Sequence, residues 1–362
     1  MRLAHLEGLR ALACLQVVIN HATQAFWPQF PTLNPLCRFL SDGGVAVCVF
    51  FLLSGTVLTY AYERAPMQIG GHAVRRLIRL GIPLLGACLV AFVLRGAGDG
   101  ALRAAALHSA WLARQVAPIT AQGALLDGTV RALTGYADTT LFAPLAAFLP
   151  VANRAVDEPI WSLHVELWGS AMMLLVVLSR ARGVWTGRVV FAVLAVLCGL
   201  TPIVLFLVGA AAAGLARREV NRPLFGCVLL AAGIAASAWH AAPGLYAVAR
   251  VLDAGEVLRP ERFFSLSSLA AAIGIYGGVL LVGAARRGLA VAPLRWLGRL
   301  SFSIYLLHAP VLLSAGVAAL RAGGPAVALG VTAVVTIGGA VVFARLVDGP
   351  ALRVSRRGGA AV

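Results

Sequence analysis

Arg10 and His21 sit eleven positions apart in one apolar segment of the chain. On a helix this spacing is a rise of about 16 Å and close to three whole turns, so both side chains leave nearly the same face. A neutral imidazole in a polar cavity can accept a proton from a hydroxyl at neutral pH. The competing reading is a packing histidine satisfied by Asn20 or a neighbouring hydroxyl, with Arg10 extending its head to an interface. Spacing alone does not choose between them. Glu166 follows Trp161-Ser162-Leu163-His164-Val165 in a second apolar segment. A carboxylate there needs a partner, because an ionised group in a lipid-embedded helix costs about 2.5–3.5 kcal/mol on insertion scales. His164 is two positions away and does not share its helix face. His21 is the more attractive partner, if both lie in the outer half of a membrane; a hydroxyl or backbone group is the other.

Other segments carry further polar groups. Phe50-Phe51-Leu52-Leu53-Ser54-Gly55 sets a hydroxyl beside a residue with no side chain. Small residues let helices approach closely, which alone accounts for the pair; a substrate-facing Ser54 is the sharper alternative. Arg75 and Arg79 are four apart and share a face, with Arg76 beside them. Such a cluster can hold the phosphates of a nucleotide-bearing donor or anchor the chain against anionic lipid. His308 precedes Pro310, whose missing N–H frees a backbone carbonyl. It reads as a structural or substrate-supporting histidine rather than the catalytic one. Trp161 suits an interfacial aromatic belt. His5, His72, His108 and His240 fall in loops or near segment ends.

The elements that must position these groups are membrane helices. Of 362 residues, 60% are apolar and 12% charged, with mean hydropathy +0.89. Soluble domains are about 45–50% apolar and 25% charged, so a soluble enzyme is excluded, and so is a disordered chain. The sequence therefore predicts an all-α polytopic membrane protein. About 20 apolar residues make a span, and ten segments qualify or nearly so: 8–27, 44–62, 77–95, 160–179, 187–200, 202–216, 224–240, 265–285, 300–320 and 325–347. The fifth and sixth are joined by a tight turn at Thr201-Pro202. The stretch 139–150 is too short to span and reads as interfacial or re-entrant. Loop 96–158 is too long to be structureless.

Charge supports both termini in the cytoplasm. With that orientation the inward connections hold 20 arginines and four acids, against ten arginines and ten acids outside, as the positive-inside rule requires. Residues 1–350 then form a single integral domain, and 351–362 a short basic cytoplasmic tail. The formal charge of +16 comes entirely from arginine, since lysine is absent. These arginines lie between apolar runs rather than in one stripe, so lipid and not nucleic acid is their partner. No cleavable leader is expected, because the first apolar run is long enough to span and has no small-residue cleavage site. Five of the six cysteines (Cys14, Cys48, Cys88, Cys198 and Cys227) lie in spans, leaving Cys37 in a loop. Neither a disulfide framework nor a metal set is expected. There is no HExxH, CxxC, phosphate-binding loop or GxSxG elbow. The lack of an internal repeat weakens a transporter reading, and a purely structural protein has no reason to hold His21, Glu166 and His308 in lipid.

Taken together, these motifs resemble the multi-pass acyltransferase 3 family. The resemblance rests on Arg10-x10-His21, Phe50-Phe51-x-x-Ser54-Gly55, Arg75-Arg76-x-x-Arg79, Trp161-Ser162-Leu163-x-x-Glu166 and Tyr305-Leu-Leu-His308-x-Pro310, in that order from about Leu6 to Pro310. It implies transfer of an acyl group, usually acetyl, to a hydroxyl of an extracytoplasmic carbohydrate such as exopolysaccharide or lipopolysaccharide. Small glycosides and lipids are alternative acceptors. It further implies His21 as the essential histidine, Arg10 in the same motif, and Arg75, Arg76 and Arg79 facing cytoplasmic acyl-CoA as co-substrate, with no bound cofactor. Glu166 is carried over as a site residue that would orient His21. Ser54, Trp161 and His308 would contact substrate. The chain departs from many bacterial members after the glutamate, reading Glu166-Leu167-Trp168-Gly169-Ser170, which bears on the acceptor and not on the reaction. The all-arginine composition suits a GC-rich bacterial genome, and the implied location is the bacterial plasma (inner) membrane. No oligomeric state follows from the sequence.

Overall fold

The computed structural model describes residues 3–64, 69–141, 143–199, 201–218, 220–238 and 266–358. The last two residues of the seventh expected span (His240 among them), the first residue of the eighth, the connection with Arg250, Arg259 and Arg262, and tail residues 359–362 lie outside these.

A chain this apolar must satisfy its backbone groups internally, and helices do so within a segment. The described residues accordingly form helices and no strand. The principal ones are α1 (Ala4–Phe26), α2 (Gly43–Arg64), α3 (Ile69–Ala105), α4 (Leu163–Arg182), α5 (Val184–Cys198), α6 (Val204–Arg218), α7 (Pro223–Ala238), α8 (Leu266–Leu281), α9 (Gly283–Leu289), α10 (Ala292–Val311), α11 (Val317–Phe343) and α12 (Gly349–Gly358). Four helical stretches among them are long and apolar enough to cross a membrane: Gly43–Arg64, Gly70–His108, Glu158–Arg182 and Ala292–Arg357. The pair 267–281 and 283–289, bent by 96°, would make a fifth. Helices α5 and α7 are apolar but only 15 and 16 residues long, or about 22–24 Å at 1.5 Å per residue. Ten crossings therefore do not follow from helix length.

Breaks in the helices track the sequence. The turn between α5 and α6 falls where Thr201-Pro202 marked it, with Gly199 at φ +54° and the Thr201 hydroxyl donating to the Cys198 carbonyl at 2.7 Å. Inside α11, Gly324 stands at φ +78° before Pro325, a conformation that glycine adopts without strain. It separates the ninth and tenth expected spans. After Pro310 the chain makes a π turn, Leu312–Gly316, and the Ser314 hydroxyl donates to the Pro310 carbonyl at 2.7 Å. A second π turn, Ala344–Asp348, brings Asp348 to Arg79.

The helices pack closely around α1, α2 and α10. Helix α2 crosses α6 so closely that a Cβ on Gly55 would collide with the Phe206 carbonyl, and one on Gly209 with the Leu52 carbonyl. The Thr56 hydroxyl bonds the Gly209 carbonyl at 2.7 Å across this contact. The Ser54-Gly55 pair thus does allow close approach, through its glycine.

The long connection before α4 is a folded cap. Short helices at Ala110–Gln115 and Ala121–Gly128 are capped by the side chains of Ser109 and Thr120, and the 139–150 stretch holds a 3₁₀ segment, Ala143–Phe148. Arg95, buried on α3, holds the cap by donating to the carbonyls of Ala155 (2.8 Å), Val156 (3.2 Å) and Gln115 (2.6 Å). Asp127 gathers Arg131, the Tyr136 hydroxyl (3.0 Å) and the Val156 N–H (2.8 Å). Beside them the Asp157 carboxyl is fully buried and neither oxygen has a hydrogen-bond partner. Burial pushes its pKa well above the usual carboxylate range, against the opposing pull of Arg95.

Candidate functional site

At one end of α1, His21 lies 3.0 Å from His308, Nδ1 to Nε2. The next bond fixes which atom holds each proton. His308 Nδ1 is 2.7 Å from the Tyr305 carbonyl, which can only accept, so Nδ1 carries the hydrogen. In the neutral ring Nε2 is then an acceptor, and His21 Nδ1–H must donate to it. The remaining nitrogen of His21, Nε2, is left as an unprotonated base. Helix α10 therefore supplies, 287 residues away in sequence, the group that sets the tautomer of a histidine on α1.

His21 faces a cavity of about 340 Å³ whose lining includes Asn20, Gln24, Trp111, Asp138, Glu158 and Trp161. Trp111 lies 5.7 Å from the imidazole, ring centre to ring centre. Glu158 is held by Gln115, whose amide nitrogen donates to Oε2 at 2.6 Å. Trp161 is buried in this wall rather than placed in an aromatic belt. The amides, carboxylates and two tryptophans around one basic nitrogen can hold a polyhydroxylated molecule and take a proton from it.

Toward the other end of α1 lies a second cavity, of about 130 Å³, lined by Arg10, Ser54, Arg76, Arg79 and Glu166 together with Phe50, Phe51 and Phe302. Here the structure corrects the expected partner of Glu166. Its Oε1 accepts from the Ser54 hydroxyl at 2.9 Å and pairs with Arg76, so it does not orient His21. Sequence position alone does not show where along the bundle this helix begins. The chain enters through a 3₁₀ turn, Glu158–Ser162, and α4 starts only at Leu163. Trp161 lines the His21 cavity while Ser162 and Glu166 line the other, so the chain passes from one chamber to the next at this turn. Arg76 also donates to the Ser170 hydroxyl at 2.6 Å. Arg79 pairs with Asp348 and lies 5.2 Å over the Phe302 ring. Arg75 turns away, donating at 3.4 Å to the Arg356 carbonyl of α12. The three arginines are thus not one cradle: Arg76 and Arg79 join Arg10 at the cavity, and Arg75 does not.

Among the described residues, Val47 and Tyr305 alone line both cavities. Tyr305 donates its hydroxyl hydrogen to the Pro159 carbonyl at 2.5 Å and accepts from the Ser162 hydroxyl at 2.8 Å. His308, fully buried, has both ring nitrogens engaged, by His21 and by the Tyr305 carbonyl.

A family model described as an acyltransferase domain matches residues 3–345. The chain belongs to the acyltransferase 3 family. Comparison with curated proteins and with solved structures finds no significant match. Membership and the apolar helices together make this protein a membrane acyltransferase. The sequence alone points to no role for Tyr305, Ser162, Glu158 or Trp111. Tyr305 stands three residues before His308 in the same motif and Glu158 just before the fourth segment, so both are visible without their contacts. Trp111 sits in the loop cap and carried no signal.

Proposed function

We propose that the protein moves an acyl group, acetyl in the simplest case, from cytoplasmic acyl-CoA to a hydroxyl of an extracytoplasmic carbohydrate. The observation that carries this reading is the pair of chambers along α1. One is bordered by arginines at the Arg10 end, and the other holds a basic nitrogen among tryptophans, amides and carboxylates. Arginine chemistry suits the phosphates of acyl-CoA. Tryptophan faces suit the apolar C–H faces of a sugar ring, and polar neighbours its hydroxyls. The arginine asymmetry supports ten crossings with residues 1–350 as one domain and both termini, including the 351–362 tail, in the cytoplasm. The host membrane would be the bacterial plasma membrane.

His21 Nε2 takes the proton from the acceptor hydroxyl as its oxygen attacks the thioester carbonyl. The C–S bond breaks, and the leaving thiolate takes up the proton from the imidazolium. His308 holds the ring and keeps Nδ1 protonated throughout. Arg10, Arg76 and Arg79 meet the donor, with Ser54 and Glu166 fixing Arg76; Trp161 and Trp111 meet the acceptor. The test is O-acyl content of envelope and secreted glycans from cells lacking the gene, complemented with wild type or His21→Ala. Restoration by wild type alone supports the assignment and names the acceptor fraction. Unchanged acylation on every glycan, or full restoration by His21→Ala, refutes it.

A further inference from the structure

The two chambers share a wall, and Tyr305 is its largest side chain. Its ring faces both sides, and its hydroxyl is pinned to the same 3₁₀ turn that carries the chain from one chamber to the other, at Pro159 and Ser162. Phe50 lies edge-on to that ring, with centres 6.2 Å apart. The chamber with His21 is the larger of the two and is lined by polar groups such as Asn20, Gln24 and Asp138, so it has the room and the partners to hold water. Part of the arginine chamber is lined by Phe50, Phe51 and Phe302, against which an acyl chain can rest. Tyr305 and Val47 stand between that chamber and the one with His21.

We infer that Tyr305, latched by Ser162 and the Pro159 carbonyl, is the partition that selects acceptor over water as the destination of the acyl group. The inference rests on the acyl-CoA reading above. When the donor moves up to His21 the ring yields, and the acyl carbon meets whatever occupies the acceptor chamber. If the ring is missing, or its latch is cut, the chambers join without an acceptor. His21 Nε2 can then take a proton from water, whose oxygen bonds to the acyl carbon. The C–S bond breaks, CoA leaves as thiolate and is protonated by His21, and the acyl group departs as the free acid. Tyr305 acts on the choice of nucleophile and transfers no proton itself, so it is a positioning residue.

The experiment uses the full-length protein in proteoliposomes supplied with acetyl-CoA and no acceptor, following free CoA release. Glycan-bound acetyl is measured in cells expressing the same variants. Tyr305→Ala removes the partition, Tyr305→Phe keeps the ring but cuts the latch, and Ser162→Ala cuts half of it. Losing a hydroxyl anchor is worth roughly a factor of ten. The expected ratio of CoA release to glycan acetylation rises about tenfold in Tyr305→Phe, more in Tyr305→Ala and less in Ser162→Ala. A fall in both activities with the ratio unchanged overturns the proposal, because a merely structural tyrosine would slow both outcomes alike. If Tyr305→Ala fails to insert, the Phe and Ser162 variants decide. Wild-type protein that acetylates no glycan overturns the acyl-CoA reading as well; normal wild-type transfer with unchanged variant ratios overturns this inference alone.

Discussion

Replacing His308 by phenylalanine keeps a ring of similar size but removes the acceptor for His21 Nδ1–H and the donor to the Tyr305 carbonyl. A polar group left buried without its partner costs about 1–3 kcal/mol. At 1.36 kcal/mol per decade this is about 5–150-fold in rate, if the cost falls on the reactive arrangement of His21. His21→Ala removes the base itself and should cost about 10²–10⁴-fold. Because His308 acts only through His21, the double variant should be no slower than His21→Ala alone, a non-additivity characteristic of residues that work as a unit. His308→Gln retains an acceptor and a donor and should recover part of the loss. The assay is label transfer from acetyl-CoA in membranes, normalised to folded protein by size exclusion in detergent. Multiplying losses in the double variant would show that His308 has a separate role, and an unimpaired His308→Phe would refute the tautomer argument outright.

Four further outcomes follow from the geometry. Glu166→Gln breaks the pair with Arg76 and weakens the bond from Ser54; both charges are about one-sixth exposed, so we expect a loss of about 1–3 kcal/mol in unfolding stability and a raised KM for donor, with unchanged stability as the refuting result. Arg75→Ala should leave donor KM within about twofold, because Arg75 is tied to the Arg356 carbonyl and does not line the cavity, whereas Arg10→Ala or Arg79→Ala raises it; equal effects from all three would restore the single cradle. Gly55→Leu forces α2 away from α6 and should cost about 1–3 kcal/mol or more by overpacking, seen as loss of monodisperse protein, and normal yield would contradict the close crossing. Asp157 has a raised folded-state pKa, so its stabilising contribution is full below the ordinary carboxylate range and is lost as pH rises toward the elevated value. Asp157→Asn should therefore raise the thermal midpoint at pH 8 and change it little at pH 4; an equal shift at both would refute the burial argument.

Much of the architecture was legible because lipid imposes a strict rule on the backbone. Apolar runs had to be helices, and Thr201-Pro202 marked a turn through its backbone preference. Residue types at motif spacing were enough to read the family. What could not be read was how far each group sits along the bundle. Glu166 is one turn into its helix, yet that helix begins inside the protein, because Arg95 ties residues 155 and 156 to α3 and draws the chain inward. The His21–His308 contact joins opposite ends of the sequence, and only packing of α1 against α10 creates it. Arg75, Arg76 and Arg79 form one cluster by spacing, which does not show the acids that meet Arg76 on α4 and Arg79 after α11.

The central claim is that His21, held by His308, moves an acyl group between the two chambers. The most direct measurement is transfer of labelled acetyl from acetyl-CoA to glycan by membranes containing wild-type or His21→Ala protein at matched folded levels. Acetylated glycan is expected with wild type, and a loss of about 10²–10⁴-fold with His21→Ala. Equal transfer by the two proteins would contradict it.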